Sequence, residues 1–237
     1  SGTTRTYALT NVTATYGGSS DQGEDTGTTY NAAGIKADGN ITIDAGTITV
    51  ANSGSMSKSI KSKATVTING GDITLTPSGA MLVFNNDASY SSGVKAVNFV
   101  MNDGVLKINS SGVAGKGVST TNMTTNGGSI TITNTGAPQA AGSTGDYYTA
   151  KGFKTDGNIN LLGGTINISM TGKGGKGIKV NGEYVQGASG STGPTLTVST
   201  TGTAAASSGG GWGPGGGSSV SGSAKAIKVM EIGRAHV

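Results

Sequence analysis

Apolar residues recur along this chain in a two-residue rhythm that glycine interrupts every few positions. The clearest stretch is "AKGFKTDGNINLLGGTINI", residues 150–168. Phe153 centres one short strand, and Asp156 with Gly157 supplies a turn. Ile159 and Leu161 alternate with polar neighbours in a second strand. Gly163 and Gly164 turn the chain again, and Ile166 and Ile168 mark a third. Alternation of this kind, built from β-branched residues, predicts strands rather than helices. The Asp-Gly, Asn-Gly and Gly-Gly pairs provide corners where positive backbone angles are cheap.

Near-copies of the unit fill the chain. They are "AGIKADGNITIDAGTITV" at 33–50, "SKSIKSKATVTINGGDITLT" at 57–76, "SGVKAVNFVMNDGVLKI" at 92–108 and "GKGVSTTNMTTNGGSITIT" at 115–133. After the unit at 150–168 come "GKGIKVNGEYV" at 175–185, resumed at 194–198, and "SAKAIKV" at 223–229. A weaker strand pattern precedes them at 7–15. The leading apolar residues are Ile35, Ile60, Val94, Val118, Phe153, Ile178 and Ile227, spaced by 25, 34, 24, 35, 25 and 49 residues. Short and long units alternate, so the true period is a pair: Ile35 to Val94 and Val94 to Phe153 are both 59 residues.

Strands repeated in phase pair best with their own copies one unit later. The expected fold is all-β: a single-stranded parallel β-helix of about seven coils, neighbouring coils about 4.8 Å apart. It is expected to be right-handed by the crossover preference. A β-sandwich would also use many short strands but gives no reason for the phase. Residues 1–230 form this one domain. "EIGRAHV", 231–237, reads as the translation of a DNA-sequencing adapter and is set aside. The β-helix is therefore expected to be a fragment truncated at its C-terminal end. Ser1 in place of Met points to a missing start.

Composition now changes the picture only by exclusion. Of 237 residues 44 are Gly, and 5% are aromatic. A thin stacked core tolerates that, whereas one compact core would need more apolar side chains. There is no Cys, and the single His, His236, lies in the adapter-like tail. Disulfides, Cys/His metal sites and His-based triads are thereby excluded from 1–230. No apolar run approaches the roughly 18 residues of a membrane span.

Stacking turns single polar residues into columns. Lys36, Lys61, Lys95, Ser119, Lys154, Lys179 and Lys228 each follow a leading apolar residue. Lys58, Lys116, Lys151, Lys176 and Lys225 lie two residues before one. Together the columns take 11 of the 14 Lys. Cations about 5 Å apart repel by roughly 1 kcal/mol per pair even in water. Either the stems splay into solvent, with Asp38 and Asp156 offsetting the charge, or the ladder receives a polyanion. A polyuronate suits it better than nucleic acid, because the net charge is only +4 and no basic cluster is interleaved with aromatics.

The long loops recur in phase as well. Loop 17–31 carries Asp25 and Tyr30, loop 77–91 carries Asp87 and Tyr90, and loop 134–149 carries Asp146, Tyr147 and Tyr148. All three should emerge from one corner, and loop 186–222 with Trp212 should do likewise. Tyr and Trp offer flat faces with a polar edge, suited to sugar rings or to shielding the coil side. Asp25, Asp87 and Asp146, with Asn85 and Asn86, are candidate oxygen donors for Ca²⁺, although no Asp-x-Asp loop signature accompanies them. Outward Thr columns such as Thr47 and Thr49 are explained by strand propensity.

The units at 33–50, 57–76 and 150–168, with the Gly-rich Trp212 loop and "SAKAIKV", resemble a family of bacterial surface proteins described as carbohydrate-binding domain-containing proteins. The likeness covers nearly all of 30–230. It implies a right-handed parallel β-helix, extracellular display and non-catalytic binding of plant-type polysaccharide, acidic pectin backbones included. It also implies a calcium role and a structural relation to a β-helical pectate lyase family, whose Lys base sits beside calcium held by several Asp. The chain lacks such clustered Asp.

The expected function is non-catalytic binding of acidic, polygalacturonate-like polysaccharide outside the cell or on the bacterial surface, by a monomer. The binding set is Lys36, Lys61, Lys95, Lys154 and Lys179 with Tyr30, Tyr90, Tyr147, Tyr148 and Trp212. A pectate-type lyase and a stalk or adhesin without its own ligand are the alternatives.

Overall fold

A computed structural model describes residues 11–16, 21–22, 29–30, 32–84, 87–141, 146–190, 192–205 and 222–230. Three parallel sheets run the length of the molecule. The first, called here the anchor sheet, has seven strands: Ala33–Ala37, Lys58–Ser62, Ser92–Lys95, Lys116–Thr120, Lys151–Thr155, Lys176–Val180 and Lys225–Val229. The middle sheet has six, from Ile41–Ile43 to Tyr184–Gln186. The closing sheet has seven, from Asn11–Tyr16 through Thr47–Asn52 to Thr195–Thr200. Each strand pairs in parallel with its copy in the next coil, as in Phe153 against Val118 and Ile178. The molecule is a parallel β-helix, and the sandwich alternative falls because no pairing within the three long sheets is antiparallel. The weak pattern at 7–15 contributes the strand Asn11–Tyr16, which pairs with Thr47–Asn52.

The core is a set of vertical stacks. Ile60, Val94, Val118, Phe153 and Ile178 from the anchor sheet meet Ile48, Ile73, Leu106, Ile130 and Ile166 of the closing sheet and Val66, Phe99, Met123 and Ile159 of the middle sheet, all fully buried. Alternate closing-strand residues point out and stay wet, which is why a chain one-third apolar suffices. Polar corners stack too. Asn126 donates to Asn102, Asn102 to Asn69 and Asn69 to Asp44, at 2.7, 2.7 and 2.6 Å. This ladder ties four coils at the turn between middle and closing sheets.

Long coils differ from short ones by what they add between a closing strand and the next anchor strand. Asp21–Gln22 with Thr29–Tyr30, Leu82–Phe84 with Asp87–Ser89, and Gln139–Ala141 with Asp146–Tyr148 form three antiparallel hairpins. The phased loops do leave one corner, as their spacing predicts. That they fold as hairpins was not visible in their polar, Gly-rich sequence.

One anchor-strand position is glycine in five of the seven coils, with Ser59 and Ala226 in the others, and in the central coils it has no room for a side chain. A Cβ on Gly117 would lie 2.6 Å from the Gly152 carbonyl oxygen and 2.8 Å from Ile132. A Cβ on Gly152 would meet the Gly177 carbonyl oxygen at 2.5 Å and Ile168 at 2.6 Å. Backbone and core close in together, so neither neighbour yields cheaply. Gly152→Ala should therefore cost about 1–3 kcal/mol in chemical denaturation. Gly39→Ala, with nothing within 4 Å of the new methyl, should cost far less. Equal losses would contradict this packing.

Candidate functional site

The anchor strands repeat a Lys-Gly-apolar-Lys pattern, and parallel pairing converts it into two columns. Lys36, Lys61, Lys95, Ser119, Lys154, Lys179 and Lys228 are neighbours in that order. Ala33, Lys58, Ser92, Lys116, Lys151, Lys176 and Lys225 are neighbours in the other. Lys58 and Lys116 line the same cleft as Lys61, Lys95 and Lys154, so the columns share one side of the sheet.

The two columns meet different surroundings. In the second, Lys58, Lys116 and Lys176 are buried. Lys58 donates to the carbonyl oxygens of Met56, at 2.8 Å, and Tyr90. Lys116 donates to Ala114 and Thr149 oxygens at 2.7 and 2.9 Å, and Lys151 to Thr149 at 2.9 Å. Lys176 reaches the Gly174 oxygen at 3.4 Å. Met56, Ala114 and Gly174 all have positive φ, of 55°, 51° and 66°. Each lies two residues ahead of the lysine that caps it. This column is a set of internal ties across the tight corner that feeds the anchor strand. Splaying into solvent, one of the two expectations from sequence, fails for Lys58, Lys116, Lys151 and Lys176, whose amines donate to backbone carbonyls, while Lys225 in the last coil is exposed.

The first column stays open. Lys36 is exposed, while Lys61, Lys95, Lys154 and Lys179 are half-buried along their stems. Lys154 pairs with Asp156 at 2.5 Å, and Asp38 pairs with Lys63 rather than with the column, at 3.1 Å. Lys61 and Lys95 have no hydrogen-bonded or ion-paired partner among the described residues.

Electrostatics follow from burial among like charges. Burial, then repulsion from Lys61 and Lys95, lowers Lys58 to about 7. Burial and neighbouring cations lower Lys151 to about 8 and hold Lys116 well below the ordinary lysine value. Lys61, Lys95 and Lys179 are lowered first by burial and next by Lys36, Lys154 and Lys154 respectively. A face on which every resolved lysine shift runs downward is one that an anion would relieve.

The second and third hairpins meet beside this face. Tyr90 and Tyr148, from successive hairpins, meet edge to face with centroids 6.2 Å apart. The Lys116 ammonium sits 3.7 Å from the Tyr90 ring centroid. Part of the Tyr90 face is thus spent inside the protein rather than offered to a ligand. Tyr147 is half-buried beside Tyr148, and Tyr30 pairs with Asp21 through the backbone of the first hairpin. Trp212 and Asp25 lie outside the described residues. Asp146 is exposed and Asp87 belongs to the neighbouring hairpin. No three carboxylate or imidazole groups converge among the described residues, which include neither Asp25 nor the Asp87 side chain.

The structural division of labour between the columns was not read from sequence. Its signal was present: "GSMSK", "GVAGK" and "GKGGK" place a small-residue corner just ahead of Lys58, Lys116 and Lys176.

Fold and face together define a stacked parallel β-helix with a lysine ladder on one sheet, of which only Lys154 is ion-paired among the described residues. The family model described as "Carbohydrate-binding domain-containing protein" matches residues 26–193, more than half of the chain, and the protein belongs to that family. No curated protein and no solved structure matches the chain. No helix among the described residues is long and apolar enough to cross a membrane.

Burial of the second column has a measurable consequence. The folded-state value of Lys58, about 7, lies below its ordinary 10.5. Between those values the unfolded chain binds more protons, so stability rises with pH across that window and is lowest below it. Each such lysine gives a slope of up to about 1.4 kcal/mol per pH unit. Urea denaturation from pH 7 to 9 should show the wild type gaining stability and Lys58→Met gaining less. Parallel slopes would contradict the burial of this ammonium.

Proposed function

We propose that the protein binds acidic polysaccharide of the polygalacturonate type, without cleaving it, along the open lysine column. The observation that carries this reading is the register Lys36–Lys61–Lys95 and Lys154–Lys179–Lys228, a cation per coil at about 4.8 Å intervals with one acid, Asp156, paired to it. A polymer bearing one carboxylate per sugar meets such a ladder repeatedly, and modest contacts sum along the chain. The hairpins flank the groove, so Tyr147 and Tyr148, with Tyr30, Tyr90 and Trp212 from the other phased loops, are candidates for contact with sugar rings. Family membership supports carbohydrate as the ligand class. Display outside the cell or on its surface fits such a ligand.

A lyase reading would draw on lysines whose affinity for protons is lowered. Two of those lowered furthest, Lys58 and Lys116, direct their amines at backbone carbonyls rather than at the cleft. That favours a binding role over a base.

Calorimetry at low salt against polygalacturonate and a neutral glucan tests the proposal. Binding is expected to polygalacturonate alone and to weaken as salt screens the ladder. Lys154→Ala with Lys179→Ala should reduce affinity about three- to tenfold. Lys63→Ala, outside the column and already paired, should change it less. Equal binding to both polymers, or to neither, overturns the charge ladder. Appearance of unsaturated product would overturn the non-catalytic reading.

A further inference from the structure

The lysine ladder is broken at one place, and the break is where the face becomes a pocket. Across four adjacent anchor strands the column reads Lys61, Lys95, Ser119, Lys154. Strands about 4.8 Å apart put the Lys95 and Lys154 backbones about 10 Å apart, with a short serine between them. The hairpin Leu82–Phe84 with Asp87–Ser89 folds over this gap and contributes Ala88, Ser89 and Tyr90 to its wall. The resulting cleft has a volume of about 210 Å³.

Its donors come from several directions. Lys61 and Lys95 reach it from one side and Lys154 from the other. Ser92 and Ser119 lie on its floor, beside the tied ammonium groups of Lys58 and Lys116. The hydroxyls of Ser92 and Ser119 make no hydrogen bond among the described residues, and Lys61 and Lys95 form no ion pair there. Asp156, next along the ladder, is already held by Lys154 and by the Asn181 amide. A flat surface ladder suits a row of planar carboxylates. A recess with cations on both sides and hydroxyls beneath suits an anion whose oxygens point in three dimensions.

We propose that this cleft is an oxyanion subsite that takes a tetrahedral sulfate or phosphate monoester group carried on a sugar. It belongs to the lysine face read above as the polysaccharide surface, and the inference rests on that face being a binding surface. Lowered proton affinity at Lys61 and Lys95 adds to the argument, since a dense anion would restore it.

Calorimetry of the whole chain with glucose 6-sulfate, glucose 6-phosphate, inorganic sulfate, inorganic phosphate and acetate is the test. The two sugar esters should bind more tightly than acetate by at least about tenfold. A preference between them names the source, sulfated or phosphorylated glycan. Lys95→Ala should lower ester affinity by about tenfold. Lys179→Ala, on the ladder but outside the cleft, should leave ester affinity within about twofold while weakening polygalacturonate. Circular dichroism would confirm that both variants fold.

Acetate binding as well as the esters overturns the subsite, as does tighter binding of the free inorganic ions than of the sugar esters. Loss of ester binding alongside intact polygalacturonate binding overturns this inference alone. Ester binding without polygalacturonate binding keeps the subsite and overturns the carboxylate ladder.

Discussion

Every feature of this protein depends on one constraint: parallel coils stacked about 4.8 Å apart with each residue beside its own copy. Stacking makes the core, because Ile60, Val94, Val118, Phe153 and Ile178 are buried only by one another and by the two opposing sheets. It also fixes what the polar positions must endure. A residue tolerable once becomes a column when repeated. Asparagine gains from that, since each amide donates to the next, as Asn126, Asn102 and Asn69 do. Glycine is forced by it, because at Gly117 and Gly152 the neighbouring coil leaves no space for a methyl. Lysine loses by it, since like charges are brought together with few acids to offset them.

The chain resolves the lysine problem in two ways that lie side by side. One column buries its amines on backbone carbonyl oxygens, three of them at tight, positive-φ corners, so the amines tie the fold together although burial disfavours their charge. The other leaves its ammonium groups at a groove edge, where Asp156 and Asp38 relieve them in part and an external anion would relieve them further. The same sheet therefore carries a structural column and a receptive one. The hairpins of the long coils join the two, because Tyr90 accepts from Lys58, meets Lys116 across its ring and packs on Tyr148. A ligand on the open column would lie against a wall that the buried column holds in place.

The fold was legible because its signal is repeated. A single Ile-Thr-Ile segment is ambiguous, but seven in-phase copies, with a two-coil period, leave little besides a parallel stack. The columns were equally legible, since register follows from phase. What escaped was anything set by a third dimension outside the repeat. The sequence of Lys58 and Lys61 is similar on either side of Ile60, yet one is tied down and the other open. That depends on the corner at Met56 and on a hairpin folded back from 82–89. The hairpins themselves carry weak, polar strands whose pairing draws on contacts with the β-helix. Tyr90 and Tyr148 meet, as loops in phase allow, but the share of the Tyr90 ring that Lys116 occupies could not be read from spacing.

The central claim is that stacking sorts one set of lysines into two electrostatic classes on a single face. Lysine side-chain NMR titration of the chain, with and without polygalacturonate, addresses it residue by residue. Lys58, Lys116 and Lys151 should titrate well below the ordinary lysine range and move little on adding polymer. Lys61, Lys95 and Lys179 should start modestly lowered and rise when the polymer binds. Uniform titration near the ordinary value, or a rise confined to lysines outside the columns such as Lys63 and Lys173, would contradict the account.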